Sequence, residues 1–233
     1  MRFTRLAKVV CKKNYIQKKY IQKKMKRIIP IIVCCIGLAL PLYLAIIFSE
    51  KQWDSQIYSD VPIAERADDA LAFAKKKGLS ANYAIFVDYS IPSGTPRLFV
   101  WDFKAGKVVR KFHVMHGNGG GSTKQKPVFS NKIGSNCSLL GRFEVHKDKH
   151  GKKLKRSFRM SGYDSTNSNA FAKGIMVHRS TWVDIWSFKK YIPLHGPSCK
   201  GCITVGSSGM NYLEKLIKSE KKNLLLWSYC SKK

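Results

Sequence analysis

Residues 83–115 read YAIFVDYSIPSGTPRLFVWDFKAGKVVRKFHVM, and this stretch decides the fold. Three runs, 83–89, 97–103 and 108–115, are rich in the β-branched and aromatic residues that suit a pleated, half-buried surface. Pro92-Ser93-Gly94 and Lys104-Ala105-Gly106-Lys107 punctuate them with turn chemistry, so the second and third runs predict a hairpin. Outward from this core, further short strands are expected at 142–146, 157–160, 174–179 and 223–230. One helix is expected over 209–220, with Met210, Leu213, Leu216 and Ile217 on one face and Ser207 or Ser208 as its cap. Upstream, Ile63, Ala67, Ala70, Leu71 and Ala74 fall at helical spacing. There Pro62 suits the first turn, Lys75, Lys76 and Lys77 the last, and Gly78 stops the helix. It reads as a stem or an N-terminal packing helix. Many short strands with few helices predict a mainly β, β-rich α+β domain over 82–233, preceded by a stem over 49–81.

The 233 residues carry 43 Lys or Arg against 14 Asp or Glu, a net charge of +29. Residues 1–27 hold 11 basic and no acidic side chains, while the remaining 206 still carry +18. With 44% hydrophobic and 12% aromatic residues the chain buries a core, which excludes a disordered basic tail. Residues 28–48, IIPIIVCCIGLALPLYLAIIF, form an uncharged run of 21 residues without a polar face. As a helix it spans ~30 Å, the thickness of a bilayer core. The basic flank before it predicts a cytoplasmic N-terminus and an extracytoplasmic remainder. The run is thus an inner-membrane anchor or an export signal, and residues 1–27 a basic cytoplasmic tail or an over-extended start. That orientation sets the +18 domain apart from nucleic acid and toward an acidic wall polymer.

The segment Ile192-Pro-Leu-His-Gly-Pro-Ser-Cys-Lys-Gly-Cys-Ile-Thr-Val205 concentrates reactive residues, and Gly174-Ile-Met-Val-His178 ends a strand shortly upstream. Four readings fit. A cysteine nucleophile needs a base to generate thiolate, and a histidine brought close by the fold supplies one. Cys199 and Cys202 with two histidines suit tetrahedral zinc. The same pair suits a redox dithiol or a structural disulfide. The glycine run after His116 lacks the Lys-Ser/Thr ending of a phosphate-binding loop. His146 and His150 sit in a lysine-rich segment that reads as solvated, and Cys137 and Cys230 as buried thiols or a disulfide.

Cys199-Lys200-Gly201-Cys202-Ile203 resembles the Ser-x-Gly-Cys-Ile/Val signature of the L,D-transpeptidase (YkuD-like) catalytic domain, which acts on peptidoglycan, and Val177-His178 resembles its upstream histidine motif. The murein L,D-transpeptidase subfamily is similar over more of the chain. Its stretches resemble Pro92-Ser93 with Pro96-Arg97-Leu98, His116-Gly117-Asn118-Gly119-Gly120-Gly121, and Phe129-Ser130-Asn131. They also resemble Gly134-Ser135, Ser138-Leu139-Leu140-Gly141, and Asn169-Ala170 leading to Ile175-Met176-Val177-His178. The likeness runs over about 82–229. It departs where Cys199 replaces the motif serine, where Arg179 follows the histidine, and where Ile203-Thr204 follows the nucleophile.

The resemblance implies a β-sandwich with a few short helices, no cofactor and no metal. It implies Cys202 as nucleophile, His178 as base oriented by a main-chain carbonyl at Arg179 or Ser180, and backbone N–H groups at Gly201 and Cys202 facing an oxyanion. A side chain at Gly201 would obstruct the approach to that site. Arg179, Ser180, His195, Cys199 and His116 are the implied substrate contacts. The implied reaction is peptidoglycan stem-peptide crosslinking in the bacterial periplasm. The alternatives are an L,D-carboxypeptidase or crosslink hydrolase on the same Cys/His pair, or a non-catalytic wall-binding protein stapled by a Cys199–Cys202 disulfide or zinc.

Overall fold

A computed structural model describes residues 63–151, 156–194 and 200–230, together with positions 25, 26 and 41. The chain divides into Met1–Ser49 and Glu50–Lys233. The anchor expected at 28–48, the basic tail, His195 and Cys199 all lie outside the described residues. Among the described residues no helix is long and apolar enough to cross a membrane.

The elements run α1 (Ile63–Lys76), β1 (Tyr83–Asp88), β2 (Leu98–Asp102), β3 (Lys107–Phe112), β4 (Val114–Met115), β5 (Gly141–Val145) and β6 (Ser157–Gly162). They continue with β7 (Met176–Arg179), α2 (Thr181–Trp186), β8 (Ile203–Val205), α3 (Ser207–Ser219) and β9 (Leu224–Tyr229). The strands form one nine-stranded sheet in the order β3-β2-β1-β9-β5-β6-β7-β8-β4. Only His113 separates β3 from β4, yet these two strands are opposite edges of the sheet. The sheet therefore curls on itself into a nearly closed barrel-like form, where a two-layered sandwich was expected. The single run predicted over 108–115 breaks at His113 because its two halves pair with different strands, β2 and β8.

β1 is buried on both faces, which explains its continuous apolar sequence. Ile85 and Val87 join Leu98, Val100, Phe143, Phe158, Val177, Ile203, Met210 and Leu213 in the larger core, covered by α3. Ala84 and Phe86 face the other way, against Ile63, Ala67, Ala70 and Ala74 of α1. The small residues on α1 let it lie close to the sheet, so this helix packs as part of the domain. The hairpin β2–β3 forms as the turn residues predict, in antiparallel register with a bulge between Val100 and Trp101.

The cap of α3 differs from expectation. Its N-cap is Gly206, without a side-chain bond. Instead the Ser207 N–H donates to Asp184 Oδ1 at 2.8 Å and its hydroxyl to Oδ2 at 2.6 Å. A carboxylate from α2 thus satisfies the helix N-terminus, a favourable place for negative charge. His146 is buried, bonded through Nε2 to Ser161 Oγ, rather than solvated. His150 is exposed but bonds the Ser157 carbonyl through Nδ1. Cys137, Cys202 and Cys230 are free thiols, the first of them buried.

Candidate active site

Three adjacent strands build the site. β6 pairs antiparallel with β7, placing Ser157 beside His178 and Arg159 beside Met176. β7 pairs parallel with β8, placing His178 beside Thr204 and Val177 beside Ile203. Side chains alternate along a strand, and partners across a ladder share a face. Phe158, Val177, Ile203 and Val205 therefore fill the core, as their burial confirms. The opposite face carries Ser157, His178 and Thr204 in one row. One residue before β8, Cys202 falls on that same face, next to the row of Arg159 and Met176. The fold thus gathers His178 and Cys202, 24 residues apart in sequence, on one surface of two parallel strands joined by a crossover through α2.

His178 is 5% exposed. Its Nδ1 lies 3.0 Å from the Arg179 carbonyl, which only accepts, so Nδ1 carries the proton. In the neutral ring Nε2 then keeps its lone pair, and the Thr204 hydroxyl, 3.2 Å away, donates to it. Burial lowers the His178 pKa, partly opposed by the Arg179 bond, so the ring is an unprotonated base at neutral pH. Cys202 is half-buried, with Sγ 3.9 Å from the Gly174 carbonyl. Burial pushes its thiol up, against the opposing influence of a Met176 backbone bond and the Arg159 charge. Both shifts favour the neutral forms, an unprotonated imidazole and a thiol.

Gly201 holds φ +92°, a left-handed value that favours glycine, and a Cβ there would lie 2.2 Å from the Cys137 carbonyl oxygen. Packing against backbone by itself therefore requires glycine at this position. Gly117 is equally pressed: a Cβ would come 2.2 Å from the Asn136 oxygen and 2.9 Å from the Gly201 Cα. Three backbone segments thus converge behind the Gly201–Cys202 peptide.

Other residues singled out in the sequence have different placements. His116 is 1% exposed, and both ring nitrogens are engaged. Nε2 donates to the Thr123 carbonyl at 2.8 Å, and Nδ1 accepts from Arg97 Nη2 at 3.0 Å. It therefore holds the glycine loop and presents no free nitrogen to a substrate. Arg179 is exposed and directs Nη1 toward Ser207 Oγ at 3.4 Å, while its carbonyl serves His178. Ser180 caps α2 by accepting from the Trp182 N–H. Thr204 drew notice only as a departure beside Cys202, and Arg159 gave no signal, because only strand pairing brings them to this face. Among the described residues no group of three or more His, Cys, Asp or Glu side chains is placed to hold a metal ion.

No curated protein matches this chain. Among solved structures, an L,D-transpeptidase from Xylanimonas cellulosilytica DSM 15894 is 19% identical at a TM-score of 0.36, covering 68% of each chain. The helical cell shape determining protein Pgp2 from Campylobacter jejuni is 14% identical at 0.37, covering 73% of this chain and 57% of its own. A mutant of the same protein gives 14% and 0.39, with 74% and 58% covered. This chain thus spans less than two thirds of Pgp2. The family model for the L,D-transpeptidase catalytic domain (YkuD_2) matches residues 59–229, the whole span from α1 to β9. The chain belongs to the L,D-transpeptidase catalytic domain family.

Proposed function

We propose that this protein is a cysteine-dependent peptidoglycan L,D-transpeptidase in which Cys202 is the nucleophile and His178 its base. The observation that carries this reading is the Nδ1 bond of His178 to the Arg179 carbonyl, which leaves the Nε2 lone pair on the face shared with Cys202. The Cys202 Sγ–H gives its proton to Nε2 as sulfur attacks a stem-peptide carbonyl. The Thr204 hydroxyl holds that lone pair until the thiol proton takes its place. A C–S bond forms, the peptide C–N bond breaks, and the Nε2 proton passes to the departing amine. An acceptor amine then attacks the thioester, returns its proton through Nε2, and frees the thiol with a new C–N bond. Backbone N–H groups at Gly201 and Cys202 face the developing oxyanion, each such donor contributing ~3 kcal/mol in comparable acyl transfers. Under this reading residues 28–48 serve as a membrane anchor or an export signal, and the domain acts on the periplasmic side.

The test reacts the full-length protein with a carbapenem and reads the intact mass. An adduct on wild type and Cys199→Ser, absent on Cys202→Ala, supports the reading. No adduct on the folded, reduced wild type overturns it. Incubation with stem peptides then separates crosslinking from hydrolysis: new dimers support transpeptidation, and trimmed stems alone defeat it.

A further inference from the structure

Arg159 stands two strands from the nucleophile, on the same face. It is the register partner of Met176, and continuing the β7–β8 register one residue back brings Cys202 to the other side of Met176. Neighbouring strands lie about 4.8 Å apart, so the arginine and cysteine Cα atoms are separated by ~10 Å across the sheet. The proximity is felt electrostatically, since the Arg159 charge opposes the rise of the Cys202 pKa. The guanidinium is held by two contacts: Nη2 donates to the Phe171 carbonyl at 2.6 Å, and its carbon sits 4.2 Å from the Phe171 ring centroid.

Those contacts leave its charge unmatched. Arg159 Nε is buried without a hydrogen-bond partner, and among the described residues no carboxylate forms an ion pair with this side chain. The other arginines facing acidic groups are paired: Arg142 with Asp164, and Arg156 with Glu214. A buried guanidinium donor with no acceptor is costly, and a planar cation of this kind matches a carboxylate in fork geometry. Arg179, the other cation near the base, reaches away toward Ser207 at the opposite end of the β7–β8 ladder.

We infer that Arg159 is the anchor for the terminal carboxylate of the acyl-donor peptide, the one carried by the amino acid that leaves. This rests on the acyl-transfer reading of Cys202. A carbonyl at Cys202 and a carboxylate one extended residue further along, ~3.5 Å per residue, place the carboxylate over Met176, between the two side chains. Arg159 thereby sets which peptides are donors, favouring those that end in a free acid beside the scissile bond.

The experiment compares two donors with full-length protein: a stem tetrapeptide with a free terminal carboxylate, and the same peptide amidated there. In wild type the acid is preferred by about 10- to 100-fold in kcat/KM, the value of a charge-assisted bond. In Arg159→Gln the preference collapses toward unity, and in Arg159→Lys it is intermediate. The ratio is taken within each variant, so a partly folded preparation does not alter it. An undiminished preference in Arg159→Gln overturns the inference while turnover abolished by Cys202→Ala keeps the site reading intact. A wild type that turns over both donors equally also overturns it. Turnover of neither peptide by wild type overturns the acyl-transfer reading, and this inference with it.

Discussion

Two buried histidines show how one ring serves opposite ends. His116 and His178 are 1% and 5% exposed, and burial lowers the pKa of each. Each donates one N–H to a backbone carbonyl, Thr123 for His116 and Arg179 for His178. The difference is what meets the remaining lone pair. At His116 it is Arg97, itself 1% exposed and bonded to the carbonyls of Val114 and Ile91, with its guanidinium 5.0 Å from the Tyr89 ring centroid. Burial lowers Arg97 only to about 10, so the guanidinium stays charged and never releases its proton to the ring. At His178 the lone pair meets a hydroxyl, on a face shared with a thiol. A histidine becomes a base through the chemistry standing on its free nitrogen; burial alone does not decide it.

Exchanging each ring for an amide breaks this comparison most sharply. His178→Gln lowers kcat/KM for a stem-peptide donor by roughly 10²- to 10⁴-fold, the size of a lost general base. His116→Gln, whose amide accepts from Arg97 and donates to Thr123, leaves kcat/KM within about tenfold. Steady-state assays of both variants decide it, and equal losses would erase the distinction.

The next effect is on stability. Burial, with Arg97 beside it, holds His116 at about 4, against an unfolded value of 6.5. Between these values the unfolded chain binds the extra proton, so stability rises with pH. The contribution is complete above pH 6.5 and disappears as pH falls to about 4. It amounts to on the order of 3 kcal/mol. Urea unfolding across that window should show a shallower pH slope in His116→Gln than in wild type. Parallel slopes would mean that folding does not depress the titration of His116.

The smallest effect sharpens the other side. Burial lowers the His178 pKa, and the Thr204 hydroxyl, 3.2 Å from Nε2, donates to the neutral ring. Thr204→Val moves the acidic limb of the kcat/KM profile upward by under about one unit, and Thr204→Ser restores it. A limb that does not move would mean the hydroxyl contributes packing alone.

The strands around residues 83–115 were legible because β-branched and aromatic residues recur between strong turn signals. The helix α3 was legible from Met210, Leu213, Leu216 and Ile217, all of which are buried. Closure of the sheet was not, because it depends on β4 leaving β3 to pair with β8. β8 has three residues and α2 six, too few for any period to declare itself. His178 and Cys202 were readable as a strand-end histidine and a Gly-Cys loop, whereas His116 drew notice from its glycines and proved to be bound on both sides. Arg159, and the contact of Thr204 with His178, were invisible for a different reason: a cross-strand neighbour is a property of register, and no local pattern encodes it.

The position of β9 has a consequence for the order in which the molecule comes into being. The strand nearest the end of the chain sits at the middle of the sheet, parallel to β1 and antiparallel to β5. During synthesis, β1–β3 and β5–β8 meet only through the short β4–β8 pairing until residues 224–229 emerge. The domain therefore completes itself only when its last strand arrives, in a late, cooperative step with long loops to close. Loss of β9 would remove a central strand rather than an edge.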